Sequence, residues 1–107
     1  VASHAHSHAK ESWLLASNLA PDSLDFAARL ASAAIEEKDF SLAIFALERV
    51  RAYGDDHGAP LHIALAWALL SAGRGDDAML EARVADRIAP GDPTVKTLFA
   101  RCHANGA

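Results

Sequence analysis

Apolar residues along this chain fall in six blocks whose spacing is helical, and nowhere do they alternate as a half-buried strand would. In the clearest blocks Ala27, Leu30, Ala31 and Ala34 form one stripe, and Ala43, Leu47 and Val50 form another. Spacings of three and four residues put such positions on one side of an α-helix. Conformationally awkward residues separate the blocks: Pro21, the Lys38–Asp39 junction, Gly54 to Gly58, Gly73 to Gly75, and Pro90 to Pro93. The pattern predicts helices over 8–20, 23–37, 40–53, 60–72, 75–88 and 93–104. Asp22 or Ser23, then Asp39, then Asp92 ahead of Pro93, supply short side-chain oxygens for the free amides of a first turn. Gly73 and Gly106 stand where helix ends commonly need a left-handed residue.

The blocks also repeat. Ala9, Ala43 and Ala78 are 34 and 35 residues apart, as are Ala16, Val50 and Ala85, and Trp13, Leu47 and Ala82. In the alternate helices Leu30-Ala31, Leu65-Ala66 and Phe99-Ala100 recur at 35 and 34. Pro21 and Pro90 close equivalent helices, with Asp55 at the intervening place, and the extra residue falls in the Gly54–Gly58 loop. One copy reads His62-x2-Leu65-Ala66-x2-Leu69, then Ala78-x3-Ala82-x2-Ala85, then Pro90. The other reads Ala27-x2-Leu30-Ala31-x2-Ala34, then Ala43-x3-Leu47-x2-Val50.

This arrangement resembles the tetratricopeptide repeat, whose 34-residue helical hairpin carries W-x2-L-G-x2-Y, A-x3-F and P. Both copies keep the small, closely packed positions and depart at the large aromatic ones, with alanine where glycine is usual. The resemblance implies an all-α fold of about six helices: antiparallel hairpins stacked in a short right-handed solenoid. In this register 1–107 is a single domain with a flexible tail over 1–8. A half-repeat helix follows over 9–21, then repeats over 24–58 and 59–92, and a capping helix over 93–104.

Composition narrows the function. A chain of 107 residues, 51% hydrophobic and 22% charged, has room for one compact domain. Its net charge of -4, with Lys and Arg scattered, lacks the basic stripe of a nucleic-acid binder. No apolar run is long enough to insert in a membrane. A single cysteine, Cys102, gives no internal disulfide framework, and the cytoplasm is the default location. The chain opens at Val1 rather than Met, which fits a trimmed leader or a piece of a longer protein.

In the tetratricopeptide family the first helix of each hairpin lines a concave groove that holds peptides. The resemblance puts Asp25, Ala28, Ser32 and Glu36, then Ile63, Trp67, Leu70 and Ser71, then Thr97 and Arg101 on that surface. Ile63, Trp67 and Leu70 would make an apolar anchor, and Trp67 could equally fill space against the last helix. Some relatives grip a C-terminal carboxylate with Lys and Asn at these places. Here Ala28, Ser32, Ile63 and Trp67 occupy them, which points to an apolar helix or extended segment as partner. A second candidate surface is the N-terminal helix, where Trp13, Ala16 and Ala20 share one face while Leu15 and Leu19 lie on another. A second copy docked there would make a homo-oligomer. His4, His6 and His8 lack the further donors of a metal centre. Cys102 and His103 diverge by about 100° on a helix and cannot act as nucleophile and base. No catalytic, cofactor or metal constellation is evident. The expected role is a non-catalytic adaptor or chaperone-like scaffold, and the alternative is self-assembly.

Overall fold

The computed structural model describes the backbone of residues 2–53 and 58–106, with side chains over 10–53 and 58–104. Among the described residues there are six helices and no strand: α1 (Ala2–Leu19), α2 (Leu24–Glu36), α3 (Phe40–Tyr53), α4 (Ala59–Ser71), α5 (Gly75–Ile88) and α6 (Pro93–Gly106). Five of these match the predicted segments to within two residues. The first differs: α1 starts at Ala2, ahead of the expected end of a flexible tail at residue 8. Residues 2–8 contain no Gly or Pro to break it, and Ala favours the helix. Gly106 ends α6 rather than following it. The side chains of His4, His6 and His8 lie outside the described residues, as do Gly54, Asp55 and the rest of 54–57.

The helix ends have specific causes. Ser23, not Asp22, caps α2, its Oγ accepting from the Phe26 amide at 3.2 Å. Asp39 accepts from the Leu42 amide at 3.4 Å, and Asp92 from the Thr94 amide at 2.8 Å. Two C-termini share one device. After α4, Gly73 adopts φ 81°, its amide donates to the Leu70 carbonyl, and the Arg74 amide donates to Leu69. After α2, Lys38 adopts φ 62°, its amide donates to Ile35, and the Asp39 amide donates to Ala34. Both are the paired six-to-one and five-to-two closures of a helix by a left-handed residue. The two residues are repeat equivalents, and only one is glycine.

Contacts gather into two compact units, Val1–Asp55 and Asp56–Ala107, where the sequence suggests a single domain. In a hairpin repeat each helix packs chiefly on its nearest neighbours, which favours such local grouping. In the first unit α2 packs between α1 and α3. Its buried stripe is Ala27, Leu30, Ala31, Ala33 and Ala34, facing a fold partner whose buried residues are Ala43, Ile44, Ala46, Leu47 and Val50. Trp13 on α1 meets Phe26 on α2, ring centroids 6.0 Å apart and tilted by 35°. Arg49 on α3 ties in α1, donating to Ser17 Oγ and to Asn18 Oδ1, each at 2.8 Å.

In the second unit α4 packs on α5, α5 on α6 and α4 on α6. One buried cluster joins Ala59, Ala85 and Val95, and another joins Ala66, Ala82 and Leu98. Ile63 and Phe99 flank both. His62 is buried and pairs through Nδ1 with Glu81 Oε1 of α5 at 2.8 Å.

Repeat-equivalent positions share the same burial while trading volume. The first copy places small Ala27 and Ala34 on α2 and large Leu47 and Val50 on α3. The second places larger His62 and Leu69 on α4 and Ala82 and Ala85 on α5. All eight are buried. Close packing needs the summed volume of facing positions to be right, not each residue. That is why the large aromatic positions of the repeat can be abandoned without losing it.

Candidate peptide-binding face

The second unit brings two first-of-pair helices side by side. Trp67 of α4 and Arg101 of α6 are 34 residues apart, one repeat, as are Ile63 and Thr97. The register therefore aligns an Ile63–Trp67–Ser71 row on α4 with a Thr97–Arg101 row on α6. Trp67 is half-buried and packs against the Ala66, Ala82 and Leu98 cluster, so its ring does part of what a core residue does. The guanidinium of Arg101 lies over that ring, 5.5 Å from its centroid. A cation stacked on an indole is attracted to the negative face of the ring. Trp67 thus fills space against the last helix while part of it stays accessible.

Ser71, Thr97 and Arg101 are exposed and Ile63 is half-buried. Thr97 Oγ1 donates back to the Pro93 carbonyl at 3.0 Å. Leu70 departs from expectation. At 8% exposure it is buried and offers no anchor surface. It lies three residues beyond Trp67, a turn that carries it toward the stripe holding Leu69 and Ala66. In the first unit Ala28 is half-buried, Ser32 and Glu36 are exposed, and Asp25 is exposed and paired with Arg29.

On the N-terminal helix Leu15 and Leu19 are 67% and 84% exposed, while Trp13 turns inward onto Phe26. The remaining large apolar residues exposed among the described ones are Phe45, Tyr53, Leu80 and Ile88. Carried through the 34- and 35-residue offsets, Leu19, Tyr53 and Ile88 occupy one repeat position, and Phe45 and Leu80 occupy another. Exposed apolar side chains are therefore a property of the second helix of each hairpin.

Cys102 is buried, and desolvation pushes its thiol up from the usual range, while its neighbour His103 is exposed. The two do not form a reactive pair. Among the described residues no group of three or more His, Cys, Asp or Glu could hold a metal ion. No described helix is long and apolar enough to cross a membrane.

The Arg101–Trp67 stack was not singled out in the sequence, although its signal was there in the one-repeat spacing of the two residues. Arg29, which lies 5.2 Å over the ring of Trp13, and the His62–Glu81 pair were not singled out either, and neither pair is one repeat apart.

Helices paired into alanine-stitched hairpins that repeat at 34 and 35 residues define the helical-repeat class of proteins. A family model for the tetratricopeptide repeat matches residues 34–102, from the end of α2 through most of α6. The chain belongs to the tetratricopeptide repeat family, whose repeats generally mediate contacts between proteins and are not catalytic. No curated protein and no solved structure matches the chain.

Proposed function

We propose that this protein is a non-catalytic interaction module, an adaptor or chaperone-like scaffold, that holds an apolar helix or extended segment of a partner on α4 and α6. The observation that carries this reading is Trp67: part of its ring is accessible, Ile63 sits one turn away, and packing on Leu98 fixes the ring. A ring already held in place binds without the ordering cost that a mobile side chain would add. Tryptophan and arginine are also the residues that most often dominate binding energy. Ser71 and Thr97 would form the polar edge of the face, with Ala28 and Ser32 as the corresponding positions of the first unit. A reducing, cytoplasmic setting suits the buried single thiol. Affinity capture, with the partner identified by mass spectrometry and its binding remeasured by calorimetry, tests the reading. Trp67→Ala should weaken that binding at least about tenfold with the helical circular dichroism retained. Unchanged affinity would refute the role given to α4.

The second reading is self-association, and the exposure of Leu15 and Leu19 favours it. Light scattering on the eluting peak of a size-exclusion column decides it. A monomer at every concentration up to hundreds of micromolar would exclude it.

A further inference from the structure

Each unit stacks an arginine on a tryptophan, across α1 and α2 in the first and across α4 and α6 in the second. In the first, Arg29 lies over Trp13 while its Nε donates to both oxygens of Asp25, at 3.2 and 3.3 Å, one helical turn earlier. In the second, Arg101 lies over Trp67, and the residue one turn earlier is Thr97, whose hydroxyl is spent on the Pro93 carbonyl. Among the described residues Arg101 has no carboxylate partner. Stacking uses the face of a guanidinium and leaves its N–H donors in the plane, aimed outward, where they fit the two oxygens of a carboxylate. The first stack shows that an arginine lying over a tryptophan can still donate to a carboxylate, and among the described residues Arg101 has none to donate to.

Charge on the surrounding helices runs the same way. Along α4 there is no Asp, Glu, Lys or Arg, and its one histidine, His62, is turned to Glu81 on α5. On α6 the charged residues are Lys96 and Arg101, joined by His103, with no carboxylate at all. The chain as a whole is acidic, at -4. A cationic, partly apolar face on an acidic protein selects for an acidic, partly apolar ligand and repels basic ones.

We infer that Arg101 is a carboxylate anchor: the partner segment carries an Asp or Glu side chain, received by the in-plane donors of Arg101, next to an apolar side chain that lies on Ile63 and Trp67. The ligand class is an acidic amphipathic segment within a partner chain, not a chain terminus. This inference rests on the peptide-binding reading of α4 and α6 given above.

The test is a display library of random 12-residue peptides fused at both ends, so that no free terminal carboxylate is present. It is selected in parallel on the wild-type protein and on Arg101→Gln. Arg101 is exposed, and unchanged circular dichroism and melting would confirm that the variant folds. Wild-type selection should enrich Asp or Glu within one helical turn of an apolar residue, and Arg101→Gln should keep the apolar preference and lose the acidic one. A capped peptide from the enriched set should bind wild type about tenfold tighter than its Glu→Gln or Asp→Asn counterpart, a ratio falling to near one in Arg101→Gln. Enriched peptides that are neutral or basic would overturn the anchor and leave the peptide-binding reading standing. So would an acidic preference that survives in Arg101→Gln. Failure to enrich any peptide that Trp67→Ala fails to bind would overturn both.

Discussion

Replacing Lys38 by glycine should stabilise this protein, although the change deletes a whole side chain. Lys38 closes α2 at φ 62°, a left-handed conformation that crowds Cβ against the backbone and costs about 1–2 kcal/mol for a non-glycine residue. Glycine removes that cost but gains freedom in the unfolded chain worth about 0.5–1 kcal/mol. The side chain of Lys38 is exposed, so no packing is lost. A small favourable interaction with the end of the helix dipole does disappear, and moderate salt screens it. The net gain is about 0.5–1 kcal/mol, or roughly 2–6 °C in Tm for a chain of this size.

The reciprocal change isolates the cause. A Cβ added at Gly73, at φ 81°, meets nothing within 4 Å. Gly73→Ala therefore carries backbone strain without a clash, and should cost about 1–2 kcal/mol. Each unit holds one tryptophan, Trp13 or Trp67, so fluorescence in Trp13→Phe and Trp67→Phe backgrounds reports the two units separately. Thermal melts in 0.2 M salt, followed by circular dichroism and by each fluorophore, make the comparison. An unchanged or lower Tm in Lys38→Gly would refute the argument that the left-handed closure is strained. A neutral Gly73→Ala would show that the turn relaxes instead of holding its angle.

Other consequences follow from burial. Leu98→Ala empties the centre of the Ala66–Ala82 cluster and should cost about 2–4 kcal/mol, read as a fall in Tm accompanied by a red shift of Trp67 emission. Cys102 should resist a thiol reagent at pH 8, reacting at least about 100-fold more slowly than in denaturant, because burial both shields it and disfavours the thiolate. The same shift has a sign in stability. The buried thiol stays neutral past the pH at which the unfolded one ionises. The stability it contributes is therefore complete below the unfolded pKa and lost as pH rises above it, and Cys102→Ala should flatten that alkaline decline in a pH series of melts.

Local chemistry and periodicity made the helices and the repeat legible in the sequence. A three-and-four spacing needs only one apolar side per helix, and Pro21, Gly73 and Pro93 punctuate the chain through backbone sterics that act within a turn. The one-repeat offset between His62 and Ala27, or between Ala82 and Leu47, could be counted without coordinates. What those offsets could not show is how volume is shared, since a small residue on one helix is right only if its partner across the interface is large. Only the structure showed that Ser23 and not Asp22 caps α2 and that Lys38 takes the strained angle glycine takes at the next repeat, and tertiary packing decided that Leu70 turns inward. It also decided the state of Trp67. The sequence left open whether that ring was core or accessible, which depended on Leu98 and Arg101, both on a helix some 30 residues away. Helix formation is settled within a turn or two of chain, whereas a binding face is a relation between helices and exists only once they pack.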